Sequence, residues 1–459
     1  MSYGQPFMAG AQLDQIFKAY DIRGTVPDQI DASVCGRIGA AFARFTGASS
    51  IVMARDMRPS GVELSAAFAE GAMAQGADVV ALGLASTDLI YYAAGKLDVP
   101  GAMFTASHNP AGYNGIKLCL PGAKPVGEET GLVEIKALVE QAMSAGDLPS
   151  AEQRGSRTEL DLVTEYAAHV RSFVDVASLT PLTVIADTAN GMGGYVAPRV
   201  FEGLPFDVEY LFPELDGTFP NHPADPINHE NLTALRARVT EAAADIGLAF
   251  DGDADRVVLV DEGGRPISGS LTTALLAAVF LDRNPGSTIL YNAICSKAVP
   301  EVILEHGGVP VRTRVGHSFI KQVMLETGAV FGGEHSAHYY FRDNYRADSG
   351  LIASVLVLEQ LCITGRTLSE LLAPLDRYAD SGEINSKVTD PQAVIKHIAD
   401  HYATAKLDWL DGLTVDLDDW WFNVRASNTE PLLRLNLEAL TPELMAEKRD
   451  EVLRLIRKT

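Results

Sequence analysis

Short, uninterrupted apolar runs alternate along the chain with longer stretches whose apolar positions recur every three or four residues. Residues 51–54 are one such run. A turn at 56–61, an amphipathic helix through Gln75, then Gly76 and a second apolar strand at 79–84 follow. Residues 182–186 open a similar unit, with a turn at Asn190-Gly191-Met192-Gly193-Gly194, a helix over about 195–201 and a strand at 207–211. Residues 288–291 open a third, with a turn at Cys295-Ser296-Lys297, a helix at 299–305, Gly307-Gly308 and a strand at 309–313. Three repeats of strand, helix and strand predict three α/β domains.

Between the first two units, residues 143–158 (MSAGDLPSAEQRGSRT) are rich in Ser, Gly, Ala and charge and read as a linker. The second unit closes around the acidic run that begins at Asp251. The third continues through two apolar helices, at about 271–281 and 349–361. After Pro374 the pattern changes to a short Trp-containing region, with strands near 413–415 and 432–437 and a helix at 442–457, which reads as a smaller fourth domain. The expected domains are therefore 1–155, 156–264, 265–375 and 376–459.

A chain of 459 residues exceeds what one core supports, in keeping with this division. The longest apolar stretches, such as 274–281, fall short of the roughly 20 residues a membrane helix needs. The opening MSYGQPFMAGAQLDQ lacks the basic-then-apolar layout of a secretory signal, so a cytoplasmic location is expected. Cys35, Cys119, Cys295 and Cys362 have no paired spacing, which argues against disulfides or a zinc site and fits a reducing compartment. The formal net charge of -23 repels nucleic acid and anionic membranes, so neither is an expected partner. A bound phosphate must instead meet a local concentration of Arg and Lys, which makes basic residues inside loops informative.

Four loops carry candidate chemistry. Thr105-Ala106-Ser107-His108-Asn109-Pro110 follows an apolar run and precedes a Gly/Asn-rich stretch, so Ser107 is expected in an exposed loop; a plain turn serine would look the same. Asp251-Gly252-Asp253-Ala254-Asp255-Arg256 sets three carboxylates at alternate positions, a donor set suited to a hard cation such as magnesium. An EF-hand is the rival, because Glu262 is the twelfth residue, but Arg256 stands where that loop needs glycine and both flanks read as strands. A solvated acidic turn is the plainer alternative. A magnesium site together with a loop serine points to phosphoryl transfer. A Ser-His-Asp hydrolase fits less well, since Thr105 and Asn109 stand where a nucleophile elbow has glycines. Arg425-Ala426-Ser427-Asn428-Thr429-Glu430-Pro431 offers a guanidinium, hydroxyls and an amide, either as a phosphate cradle or as an ordinary turn. Gly332-Gly333-Glu334-His335-Ser336-Ala337-His338 sets an acceptor beside a hydroxyl, as sugar hydroxyls require, although a His-rich turn of this kind also suits a structural role.

Taken in order, and with Phe17-Lys18-Ala19-Tyr20-Asp21-Ile22-Arg23-Gly24 near the start, these motifs resemble the alpha-D-phosphohexomutase family, most closely its bacterial phosphomannomutase/phosphoglucomutase branch. The resemblance implies a four-domain α/β architecture: three similar mixed α/β domains and a smaller α+β C-terminal domain around a central cleft. It implies interconversion of hexose 1-phosphate and hexose 6-phosphate through a phosphoserine at Ser107 and a hexose 1,6-bisphosphate, which also acts as activator. Mg2+ would be held by Asp251, Asp253, Asp255 and the phosphoserine. Arg256 would lie near the reacting phosphoryl group, with Tyr20, Arg23 and His108 close by, and Lys117 and His317 would be the candidate acid/base groups. Lys297, Glu334, Ser336 and His338 would meet the sugar phosphate, and Arg425, Ser427, Asn428 and Thr429 the phosphate that is not reacting. His335 is the most evident variable position. The implied partners are hexose phosphates alone, in a monomer or weak dimer. Phosphoglucosamine mutase is the alternative within the family; a non-catalytic sugar-phosphate-binding protein and a magnesium-dependent phosphatase are the alternatives outside it.

Overall fold

In the first sheet the strands run, from edge to edge, Ile22–Thr25, Tyr113–Leu120, Gly101–Phe104, Ser50–Arg55, Asp78–Leu84 and Arg157–Glu159, with Lys124–Pro125 added beside Tyr113–Leu120. This is a computed structural model that describes residues 9–426 and 432–457, with the backbone alone at 9–12 and 317. Ser50–Arg55 pairs in parallel with both Asp78–Leu84 and Gly101–Phe104, and Tyr113–Leu120 returns antiparallel to Gly101–Phe104. Helix Ala32–Thr46 starts where Asp31 accepts a hydrogen bond from the Val34 N–H (2.8 Å), and it stops at Gly47 in the left-handed region. It lies against helix Gly61–Ala74. Phe42, Phe68 and Phe104 form the aromatic centre of this core, Phe68 and Phe104 meeting edge to face at 5.5 Å.

The stretch predicted as a linker is structured at both ends. Helix Leu132–Ala145 runs into it, and Arg157–Glu159 extends the first sheet. That strand is exposed throughout and has no apolar residue, so hydrophobic patterning cannot reveal it. Backbone pairing secures it, from the Val79 N–H to the Ser156 carbonyl (2.8 Å) and from the Leu160 N–H to the Ala81 carbonyl (3.0 Å).

The second sheet orders its strands Val257–Val260, Ile246–Phe250, Leu182–Asp187 and Phe206–Leu211. Ile246–Phe250 and Val257–Val260 form an antiparallel hairpin whose connection is the acidic loop 251–256. Helix Gly350–Thr364 packs on Val257–Val260 and on helix Val163–Arg171, and the Glu359 carboxylate accepts a hydrogen bond from the Asp175 N–H (2.8 Å). Periodicity predicted this helix, and its side chains from Gly350 to Glu359 are all buried.

The chain divides into two compact units, the first reaching Ile267 and including Ala337–Ser369, the second comprising Ser268–Ser336 and the chain from Glu370 onward. In the second unit, Thr288–Asn292 pairs in parallel with Val309–Thr313 on one side and Phe331–Gly333 on the other. The terminal sheet runs Ala379–Asp380, Leu432–Ala439, Trp420–Ala426, Leu413–Asp416 and Lys406–Asp408, with Ile384–Lys387 also on Leu432–Ala439. Leu433, Leu435 and Leu437 face a core shared with helices Pro391–His401 and Pro442–Arg457. The observed fold is thus the expected one: three mixed α/β domains and a smaller α+β domain. Among the described residues no helix is long and apolar enough to cross a membrane.

Candidate active site

Ser107 sits just past strand Gly101–Phe104 with φ +48°, a left-handed conformation held by the Thr105 hydroxyl, which accepts from the Ser107 N–H (2.9 Å). The loop is not exposed at the serine, which retains only 4% of its accessible surface. Two features bury it. The acidic loop comes so close that a Cβ at Gly252 would lie 2.5 Å from the Ser107 carbonyl oxygen, and Arg58 lies beneath the serine loop. Ser107 Oγ donates to Asp251 Oδ2 (2.7 Å) and accepts from Arg256 Nη2 (3.2 Å). Arg256 also donates from Nε to Asp251 Oδ2 (2.9 Å) and from Nη2 to His108 Nδ1 (2.5 Å). Burial, with Arg256 and Arg23 nearby, pushes the His108 pKa well below its ordinary value, so the ring is neutral and can accept that bond. The expected neighbours Ser107, His108 and Arg256 therefore do come together.

In the acidic loop Asp251, Asp253 and Asp255 are almost wholly buried, and one oxygen from each lies within 4.8 Å of the others. The Lys117 ammonium, on strand Tyr113–Leu120, donates to Asp253 Oδ2 (2.8 Å) and Asp255 Oδ2 (2.6 Å). Burial by itself would lower the pKa of Lys117, but Asp253 and Asp255 outweigh it and hold the ammonium well above its usual range. Burial likewise opposes ionisation of Asp253, and Lys117 reverses that, keeping it ionised. The second oxygens, Oδ1 of Asp253 and Oδ1 of Asp255, are buried and accept no hydrogen bond. Orphaned carboxylate oxygens are costly unless a cation takes them up, so the donor set fits a hard divalent ion. His338 belongs to this region as well. Its backbone bridges to Arg256 and its Nε2 lies 3.8 Å from Asp255 Oδ1, on the other side of the unit boundary from Glu334 and Ser336.

Tyr20 is half-buried in the tight turn that the Lys18 N–H closes on the Asp21 carbonyl (2.9 Å). On the strand that follows, Arg23 donates to Asn109 Oδ1 of the serine loop (2.7 Å) and pairs with Asp21.

In the second unit, Glu334 Oε1 accepts from the Asn292 amide (3.2 Å) and from the Gly316 N–H (3.0 Å), the residue before His317. His317 opens helix His317–Thr327, and its side chain lies outside the described residues. Ser336 is half-buried. Lys297 donates to Asp416 Oδ1 (2.6 Å) and the Asp418 carbonyl (3.3 Å). Arg425 donates to Glu383 Oε2 (2.9 Å), while Arg434 donates to Oε1 of the same carboxylate (3.1 Å). Ser427, Asn428 and Thr429 lie outside the described residues.

Two residues of this region escaped sequence reasoning. Arg58 is fully buried and donates to four carbonyls of the serine loop: Pro110 (2.8 Å), Tyr113 (2.9 Å), Ser107 (2.9 Å) and Asn109 (2.6 Å). Thr87 donates its hydroxyl to Asp253 Oδ2 (2.5 Å). The available signal for Arg58 was a charged residue in the turn directly after an apolar strand; Thr87 gave none.

A loop serine between a carboxylate and a guanidinium, beside a cation-ready set of aspartates, defines a site for phosphate chemistry. Models of four phosphoglucomutase/phosphomannomutase domains match the chain in order: domain I over residues 14–145, domain II over 164–264, domain III over 268–378 and the C-terminal domain over 383–455. The chain is 39% identical over 439 residues to a phosphohexose mutase of Xanthomonas campestris pv. campestris, covering 95% of this chain and 97% of the relative. It is 38% identical over 448 residues to the phosphomannomutase of Escherichia coli K12, covering 95% and 97%. A crystal structure of a phosphoglucomutase/phosphomannomutase family protein from Burkholderia thailandensis superposes with a TM-score of 0.86 at 33% identity, covering 97% of each chain. The chain belongs to the phosphoglucomutase/phosphomannomutase family. It is a mutase, an enzyme of the isomerase class.

Proposed function

We propose that the protein is a phosphomannomutase that also acts on glucose phosphates, carrying the phosphoryl group on Ser107. The supporting observation is the setting of Ser107 Oγ, 2.7 Å from Asp251 Oδ2 and 3.2 Å from Arg256 Nη2, beside two buried carboxylate oxygens that accept no hydrogen bond. Asp251, Asp253 and Asp255 would hold Mg2+, with the phosphoserine completing the site, and the ion would supply charge neutralisation at the phosphate.

In the first half-reaction the Oγ–P bond of phosphoserine breaks and a P–O bond forms to the free hydroxyl of the hexose monophosphate. The hydroxyl proton leaves with a base and Ser107 Oγ regains one, giving a hexose 1,6-bisphosphate. The intermediate then turns over, and its other phosphate returns to Ser107. Arg256, already aimed at Oγ, stabilises charge on the transferring group, the largest expected contribution in such chemistry. Lys117, donating to Asp253 and Asp255, is a candidate acid/base or charge stabiliser. His317 is the second candidate acid/base. Lys297, Glu334, Ser336 and Arg425, with Ser427, Asn428 and Thr429, would bind the sugar and its distal phosphate, and His338, beside Asp255, would face the reacting end.

Intact-protein and peptide mass spectrometry after incubation with glucose 1,6-bisphosphate tests the central assignment. One phosphoryl group on Ser107 is expected, with no turnover in Ser107→Ala. Full mutase activity in that variant, or stoichiometric phosphate elsewhere, sinks it.

A further inference from the structure

We infer that Thr87 is a positioning residue for the cation site, selecting which oxygen of Asp253 is offered to the metal. The inference rests on the reading of Asp251, Asp253 and Asp255 as magnesium ligands. Thr87 is fully buried and is the first residue of helix Thr87–Leu97, far in sequence from the acidic loop. It grips Asp253 twice, through its hydroxyl to Oδ2 (2.5 Å) and through its backbone N–H to the Asp253 carbonyl (3.0 Å). Lys117 donates to the same Oδ2 (2.8 Å). Two donors therefore occupy one oxygen of the carboxylate, and the other, Oδ1, is left buried without any.

The helix end supports this assignment. The first N–H groups of a helix have no partner within it and usually meet a capping side chain. Here the Ser86 hydroxyl makes no capping bond and turns instead to Asp88, while the Thr87 N–H takes the Asp253 carbonyl. The helix end and the acidic loop thus satisfy one another. A threonine suits the task because its branched Cβ restricts χ1 and holds the hydroxyl on one bearing. Lys117, by contrast, places its charge at the end of a flexible stem, so it can neutralise Asp253 but not orient it alone. Groups that orient a ligand in this way typically change metal affinity by about 10–100-fold when removed.

The test uses the full-length protein and Mn2+ as probe, with free aquo-ion followed by electron paramagnetic resonance and folding followed by circular dichroism. Thr87→Val keeps the shape and removes the donor, and it is expected to weaken Mn2+ binding about tenfold or more. Thr87→Ser keeps the donor and is expected to stay within about threefold of the parent, a rescue that a merely packing role would not give. If Thr87→Val perturbs folding, Thr87→Ala, which adds no new contact, is judged by the same criterion. Unchanged Mn2+ affinity in Thr87→Val or Thr87→Ala, alongside lost affinity in Asp253→Asn, overturns the role of Thr87 alone. Unchanged affinity in Asp253→Asn overturns the metal site beneath it.

Discussion

Arg58 explains why the serine loop has a defined shape. Its buried guanidinium offers a fork of donors, and four carbonyls between Ser107 and Tyr113 converge on it. Asp56 beside it is pushed up to about 6 by burial, which the nearby Arg58 only partly offsets. Arg58→Met would orphan the buried Ser107 carbonyl and take the donor from three part-buried ones, so a loss of about 1–3 kcal/mol or more in urea unfolding is expected. A more than tenfold fall in kcat is expected with it, because Ser107 loses its support. Arg58→Lys should rescue poorly, since one ammonium cannot reach four acceptors; parent-like stability in that variant would contradict the account. At this scale the sequence was uneven. Ser107, Asp251, Asp253 and Asp255 stood out because alternate carboxylates and a serine after an apolar strand carry a chemical meaning of their own. Arg58 and Thr87 act through backbone groups and a carboxylate that only folding brings to them. The burial of Ser107 was missed for the same reason, since the residues that cover it lie on other loops.

Among the elements, helices Ala32–Thr46 and Gly61–Ala74 cross at a distance that only glycine permits. A Cβ at Gly71 would lie 1.9 Å from the Gly36 carbonyl oxygen, and one at Gly39 would lie 2.1 Å from that of Phe68. Gly71→Ala therefore has to push the helices apart and loosen the core of Phe42, Phe68 and Phe104, at a cost of about 1–3 kcal/mol or more. A differential-scanning experiment should show a lowered Tm, whereas Gly47→Ala, where a Cβ meets nothing but the φ is +60°, reports backbone strain alone. An unchanged Tm in Gly71→Ala would mean that the helices are less tightly engaged. The elements themselves were largely legible, because apolar strands bounded by Gly-rich turns and helices with one apolar stripe have distinct periods. The exception is instructive: Arg157–Glu159 has no apolar residue to count.

For the molecule as a whole the open question is the sugar. Mannose and glucose differ only at C2, whereas Glu334 and Ser336, by resemblance, would meet O3 and O4, which both sugars share. The Asn292 amide and the Gly316 N–H fix the orientation of the Glu334 carboxylate. Contacts to the phosphate are common to all these substrates and cannot select among them. Coupled assays should therefore give kcat/KM values for mannose and glucose 1-phosphates within about tenfold of each other, with glucosamine 1-phosphate lower. A preference for the glucosamine substrate by more than about tenfold, roughly 1.4 kcal/mol of transition-state discrimination, would reassign the protein to the phosphoglucosamine branch. The contact between Gly252 and the Ser107 carbonyl also bears on how such a protein can change over generations. The two residues lie in separately matched domains, yet any side chain at 252 would move the serine. A second domain borrowed from a relative fits beside the serine loop where it too carries glycine at the place of Gly252: a chimera with any side chain there should misplace the serine and lose turnover.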